Sequence, residues 1–184
     1  MKRIIKKRRS VIVVNGYTYP DNSALIRAEL DNEQNNLCAY TEEYLSPGYS
    51  RDVEHFNPTL KKTPRDGYKN WFSASSLINS HKGSKPRWDK YQPILHPTSP
   101  DLETRLLYDA GYYIPARISD IEAKNLKDLV FLNDFGFPEA RIAYINSLKD
   151  LFGTDLVKMK AHLTKYPQMV KFRRALETEF GIVL

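Results

Sequence analysis

The chain has a single cysteine, Cys38, among 184 residues, so no internal disulfide can form and no thiolate cage for zinc can be assembled within one copy. Long apolar runs are missing too. The run nearest the amino end, Val11 to Val14, falls short of a secretion-signal core and far short of a membrane span of roughly 20 residues. These absences lead to the expectation of a cytoplasmic protein with no membrane attachment. Neither an internal repeat nor a low-complexity stretch is present. Hydrophobic content of 41% is that of a chain able to fold around a core.

What is present in excess is positive charge. Lys and Arg number 28 against 22 Asp and Glu, a net charge of +6 that favours polyanionic partners without naming one. Six of the cations, Lys2, Arg3, Lys6, Lys7, Arg8 and Arg9, crowd the first nine residues. Such an arm is either a solvated, mobile terminus or a phosphate-backbone contact through Arg8 and Arg9.

Periodicity divides the chain near Ser119 into a mixed front (1–118) and a helical rear (119–184), the rear packed on the front. Val11 to Val14 reads as a short strand before the Asn15-Gly16 turn. Leu25, Ile26 and Leu30 keep a helical spacing after an Asp21 or Asn22 cap. Leu37 to Pro58 reads as a hairpin whose second strand holds Val53 to Phe56, and Trp71 to Ser80 as a short helix. Arg105 to Ile114 reads as an extended pair turning at Asp109-Ala110-Gly111. Beyond it, helices are expected from Ser119, capped by Ser119 with Glu122, then over 139–152, 154–163 and 167–180. The fold class expected is therefore α+β. For the aromatic group Trp88, Tyr91, Tyr108, Tyr112 and Tyr113, hairpin packing is favoured over base stacking.

Four short elements carry the chemistry: Cys38-Ala-Tyr-Thr41, Val53-Glu54-His55-Phe56-Asn-Pro58, Tyr68-Lys-Asn70-Trp71, and Ala74 to Gly83 with Asn79 and Lys82. In this order they resemble the HNH endonuclease family, and more narrowly its PtuB-like branch, associated with Septu and retron anti-phage systems. Leu30-Asp-Asn-Glu-Gln34 and Leu129 to Asn133 with Arg141 extend the resemblance to most of the chain. It implies a ββα-metal core between an N-terminal helix and a C-terminal helical bundle. It also implies DNA as substrate, a divalent cation (Mg²⁺ or Mn²⁺), and an ATPase partner of the PtuA kind.

The residue types suit that chemistry. Phosphodiester hydrolysis needs a base for water and a Lewis acid for the phosphate. An imidazole with a pKa near 6.5 is largely neutral at pH 7, so His55 is the candidate base, its tautomer set by a backbone carbonyl. The Glu54 carboxylate and the Asn79 amide oxygen are hard donors for Mg²⁺. Asn70 matches the family's middle Asn and is expected to brace the loop that positions the base. Lys82 is expected to meet phosphate.

The chain departs from its relatives where they place two Cys pairs around a structural zinc. Cys38, Thr41, Ser75 and Ile78 stand there, which leaves one thiol, so no structural zinc is expected and packing of Leu77 and Ile78 against Tyr40 and Phe56 takes its place. A second reading is a catalytically inactive HNH-like DNA-binding or assembly subunit.

Overall fold

Ile26 and Leu30, four residues apart on one helical face, are fully buried in α2 (Ser23–Glu33), the first long element of the chain. The computed structural model describes residues 1–183, and within them helices are combined with two small antiparallel sheets, an α+β architecture. Val11–Val14, expected as a strand, is a single helical turn (α1). The Ser10 side chain accepts from the Ile12 amide, and Ile12 packs with Ile26, Leu30, Tyr68 and Trp71, so local capping and burial override β-branched preference.

The expected hairpin is also placed differently. Between Leu37 and Ser50 only an isolated bridge, Leu37 to Tyr44, forms. Strand β1 (Arg51–His55) instead pairs antiparallel with β2 (Trp71–Ser75), in the register Arg51 to Ser75 through His55 to Trp71. All five β2 residues are buried. A strand covered on both faces need not alternate apolar with polar residues, and Trp71, on the same face as Ser73 and Ser75, breaks the period of two that would mark 71–75 as a strand rather than the helix expected there. The chain then enters α3 (Ser76–Lys82), whose first turn is capped by the Ser75 hydroxyl accepting from the Ile78 amide at 3.4 Å.

Helices α4 (Lys85–Lys90) and α5 (Leu102–Arg105) lead to the second sheet, β3 (Leu106–Asp109) with β4 (Tyr112–Pro115). Its turn requires Gly111: φ is +93°, and an added Cβ would lie 2.8 Å from Ile142 and 2.9 Å from the Pro138 carbonyl. The rear helices are α6 (Ile121–Leu129), α7 (Phe137–Phe152), α8 (Leu156–Lys165) and α9 (Arg173–Phe180). The cap of α6 is Asp120, accepting from Ala123 N, rather than Ser119. A short 3-10 turn, Pro167–Met169, stands where the last helix was expected to begin.

One continuous apolar cluster joins Tyr40, Phe56 and Phe72 to Leu126, Leu148 and Leu176, so the core crosses Ser119 without a break. The basic arm is held against this body. Met1 is buried, Lys2 Nζ reaches Glu103 (2.8 Å) and Glu177 (2.6 Å), and the Lys6 ammonium donates to the Trp71 carbonyl between the Tyr68 and Phe72 rings. Among the described residues, no helix is long and apolar enough to cross a membrane.

Candidate functional site

The β1–β2 ladder continues past its last strand pair: Phe56 N donates to Asn70 O at 2.8 Å. The strand is thus regular through Glu54 and His55, and consecutive side chains must face opposite ways. Glu54 turns inward. It is fully buried, with Oε1 2.7 Å from Lys82 Nζ and Oε2 accepting from Tyr40 Oη at 2.5 Å. Burial and the Glu54 carboxylate together push the Tyr40 phenol well above its usual range. Glu54, expected as a metal ligand, is therefore the buried partner of a lysine. Lys82, expected on phosphate, is the other half of that pair, only 2% exposed and also donating to the His55 carbonyl at 3.0 Å.

His55 turns to the other side, into a cleft of about 570 Å³. Tyr19 stacks edge-on against it with ring centroids 4.6 Å apart. Nε2 has no hydrogen bond among the described residues. The same Nε2 lies 3.1 Å from Asp66 Oδ2, close enough for an ion pair when the ring is charged but without hydrogen-bond alignment. Burial lowers the His55 pKa below 6.5, opposed by the Asp66 carboxylate and aided by Lys61.

Asp66 was not singled out from the sequence. Its Oδ1 accepts from Asn70 Nδ2 (3.0 Å) and Trp71 Nε1 (2.8 Å), while Oδ2 faces His55. Asn70 completes the brace: its Oδ1 accepts from Asn57 N at 2.7 Å and its Nδ2 donates to the Asn57 carbonyl at 3.1 Å. The amide thus ties the end of β1 to the loop carrying Asp66. Only the spacing Asp66-x-x-x-Asn70-Trp71 hinted at this, and a lone Asp in a loop rich in Lys, Pro and Gly gives no signal of its own.

Asn79 and Asp52 line the His55 cleft together. Asn79 Nδ2 donates to Asp52 Oδ2 at 2.9 Å, which leaves the Asn79 amide oxygen and the second Asp52 oxygen uncommitted. By the same alternation Asp52 lies on Glu54's face of β1 and not on that of His55. Its carboxylate, not already matched to Lys82 as that of Glu54 is, borders the cleft from the α3 side through its bond to Asn79. The pair offers two hard oxygen donors, a set that fits a largely hydrated Mg²⁺ or Mn²⁺. No group of three or more His, Cys, Asp or Glu side chains arranged to hold a metal occurs among the described residues. Arg27, Lys61 and Lys85 ring the same cleft.

Arg8 and Arg9 are exposed, and Arg8 lines a separate cavity on the far side of the 57–70 loop. Cys38, Thr41, Ser75 and Ile78 are all buried, with the Cys38 sulfur 3.4 Å from the Ser75 amide that donates to it. Ile78 packs inward as expected, whereas Leu77 is 44% exposed. Comparison with known proteins finds no matching family model, curated protein or solved structure.

Proposed function

We propose that the chain is a metal-dependent nuclease of the HNH kind, hydrolysing DNA phosphodiester bonds in the His55 cleft. The observation that carries this reading is that one imidazole, one carboxylate and one side-chain amide, those of His55, Asp52 and Asn79, border the same cleft, rimmed by cations, with Asp52 and Asn79 joined to each other. Their position on an antiparallel pair followed directly by a helix, β1–β2–α3, supports a ββα-metal core.

In this reading His55 Nε2 takes the proton of the attacking water, a role that requires its lone pair free and its ring neutral near pH 7. Burial favours the neutral ring, and the reading requires its proton on Nδ1, which leaves the Nε2 lone pair for water. Asp66 must withdraw from Nε2 for water to reach it. A lone pair facing a carboxylate at 3.1 Å is repulsive, so the neutral ring releases Asp66 more readily than the charged one. Asp52 and Asn79 would hold the divalent cation, which when bound neutralises charge on the phosphate and the leaving oxygen. Arg27 and Lys61 attract the strand as exposed cations. A role in anti-phage defence beside a PtuA-type ATPase is part of the proposal, supported by the resemblance of the four elements from Cys38 to Gly83.

A second reading has its own observation. With Nε2 covered by Asp66 and Glu54 neutralised by Lys82, the chain also suits an inactive HNH-shaped DNA-binding or assembly subunit. Plasmid cleavage with Mg²⁺ or Mn²⁺, alone and in the native complex, separates the two. The nuclease reading expects cutting by the wild type and a loss on the order of 10² or more in His55→Ala. Intact plasmid under every condition leaves only the binding subunit.

A further inference from the structure

The 57–70 loop has a second face. Opposite the His55 cleft it walls a cavity of about 680 Å³, within the roughly 300–1,000 Å³ of typical ligand pockets. Its inner surface includes Phe56, Leu60, Trp88 and Ile94, and Lys7, Arg8, Arg65 and Lys69 stand around it. No acidic residue lines it. These four cations are exposed, and none forms an ion pair among the described residues. Lys2, Arg51, Lys82, Arg105 and Arg174, by contrast, are each matched with a carboxylate. Clustered cations without counter-charge repel one another, a standing cost that a bound polyanion removes.

An apolar floor beneath a cationic rim is complementary to a nucleotide, whose base is flat and weakly polar and whose phosphate is charged. We infer that this cavity seats one unpaired nucleotide of a single-stranded nucleic acid, its base on the Phe56–Trp88 side and its flanking phosphates on Arg65 and Lys69. A paired base is locked in its stack and cannot enter, so the site selects single strands or extruded bases. Asn57 and Asn70 line the cavity and connect to Asp66, and Arg65 and Gly67 flank Asp66 in the chain. A strand held here therefore grips the loop that covers His55. The inference deepens the nuclease reading and rests on it only in taking this strand to be the one cut.

The test measures binding alone, by fluorescence anisotropy of a labelled single-stranded oligodeoxynucleotide without divalent cation, across a salt series. Arg65→Ala with Lys69→Ala is expected to weaken binding about tenfold and to reduce the slope of log affinity against log salt by about 1.4, since each lost contact on a single strand is worth about 0.7. Lys158→Ala with Lys160→Ala, exposed cations on α8 that do not line the cavity, is expected to change affinity less than twofold. A strand with abasic sites is expected to bind roughly tenfold more weakly than the intact strand. An equal loss in the α8 variant, equal binding of abasic and intact strands, or competition by a free mononucleotide as strong as by the strand would each overturn the inference. Because no cutting is scored, absence of cleavage by the wild type counts against the nuclease reading and leaves this one standing.

Discussion

Lys82 Nζ and Glu54 Oε1 meet at 2.7 Å inside the protein, joining α3 to β1 through an ion pair sealed from water. Removing one charge strands the other in a medium that solvates it poorly, a loss of about 3–5 kcal/mol. Glu54→Gln and Lys82→Met should each lower stability by that order in chemical denaturation. The double change Glu54→Leu with Lys82→Met should recover much of the loss, since a packed apolar pair needs no solvation. If either single variant is as stable as the wild type, the pair is not isolated from water.

Asp66 gives a sharper contrast, because its two natural replacements act oppositely on Nε2. In Asp66→Asn the amide keeps the bonds from Asn70 and Trp71 but turns an N–H toward His55 Nε2 and occupies the lone pair. Cleavage by this variant should fall about 10²-fold, the scale of losing a general base. Asp66→Ala leaves Nε2 open and should cut at least as well as Asp66→Asn by tenfold or more. Equal activities of the two, measured on plasmid at pH 7, would show that Asp66 does not control access to the base.

The pH behaviour follows from the lowered pKa of His55. The unfolded chain takes a proton near pH 6.5, while the buried ring resists it until lower pH. Between those values the unfolded state binds more protons, so the neutral-ring contribution is fully present above pH 6.5 and is lost as pH falls through the folded value. NMR titration of the His55 ring should give a pKa below 6.5 in the wild type. Asp66→Asn, lacking the carboxylate that favours the charged ring, should titrate lower still; a rise would contradict the assigned cause.

Asn70 is predicted to act through structure. Its side chain satisfies the Asn57 amide and carbonyl and one Asp66 oxygen, and it is 6% exposed. Asn70→Ala leaves those groups unpaired at a cost of about 1–3 kcal/mol. Activity should fall together with increased hydrogen exchange at Asn57 and Asp66. Lost activity with unchanged exchange would point to a direct role in the reaction.

How much of this was legible beforehand differs by element. The period of Ile26 and Leu30 marks α2, the Asp109-Ala110-Gly111 turn marks the β3–β4 pair, and rear apolar periodicity marks α6 to α8 within about two residues, whereas the last helix begins at Arg173, six residues after its expected start at 167. His55, Asn70 and Asn79 stand out in the sequence by their order on one stretch; of these, His55 and Asn79 border one cleft, while Asn70 braces the loop beside it. Glu54 turns away from the expected metal for a reason strand geometry explains: in a regular ladder the neighbour of His55 faces the core, and Lys82, the last residue of α3, meets it there while still bordering the cleft. Asp52 and Asp66 stayed hidden because their roles depend on which strand pairs with 51–55. Once 71–75 is read as a helix instead of the partner strand, neither carboxylate can be placed beside its amide or its imidazole.

The most direct measurement is Mn²⁺ binding to the folded protein, followed by electron paramagnetic resonance or calorimetry in the wild type, Asp52→Ala, Asn79→Ala and Glu54→Gln, with folding confirmed by circular dichroism. The geometry predicts binding by the wild type and by Glu54→Gln, and loss of at least tenfold in Asp52→Ala and Asn79→Ala. Binding that disappears with Glu54→Gln and survives Asp52→Ala would contradict the assignment of the cleft.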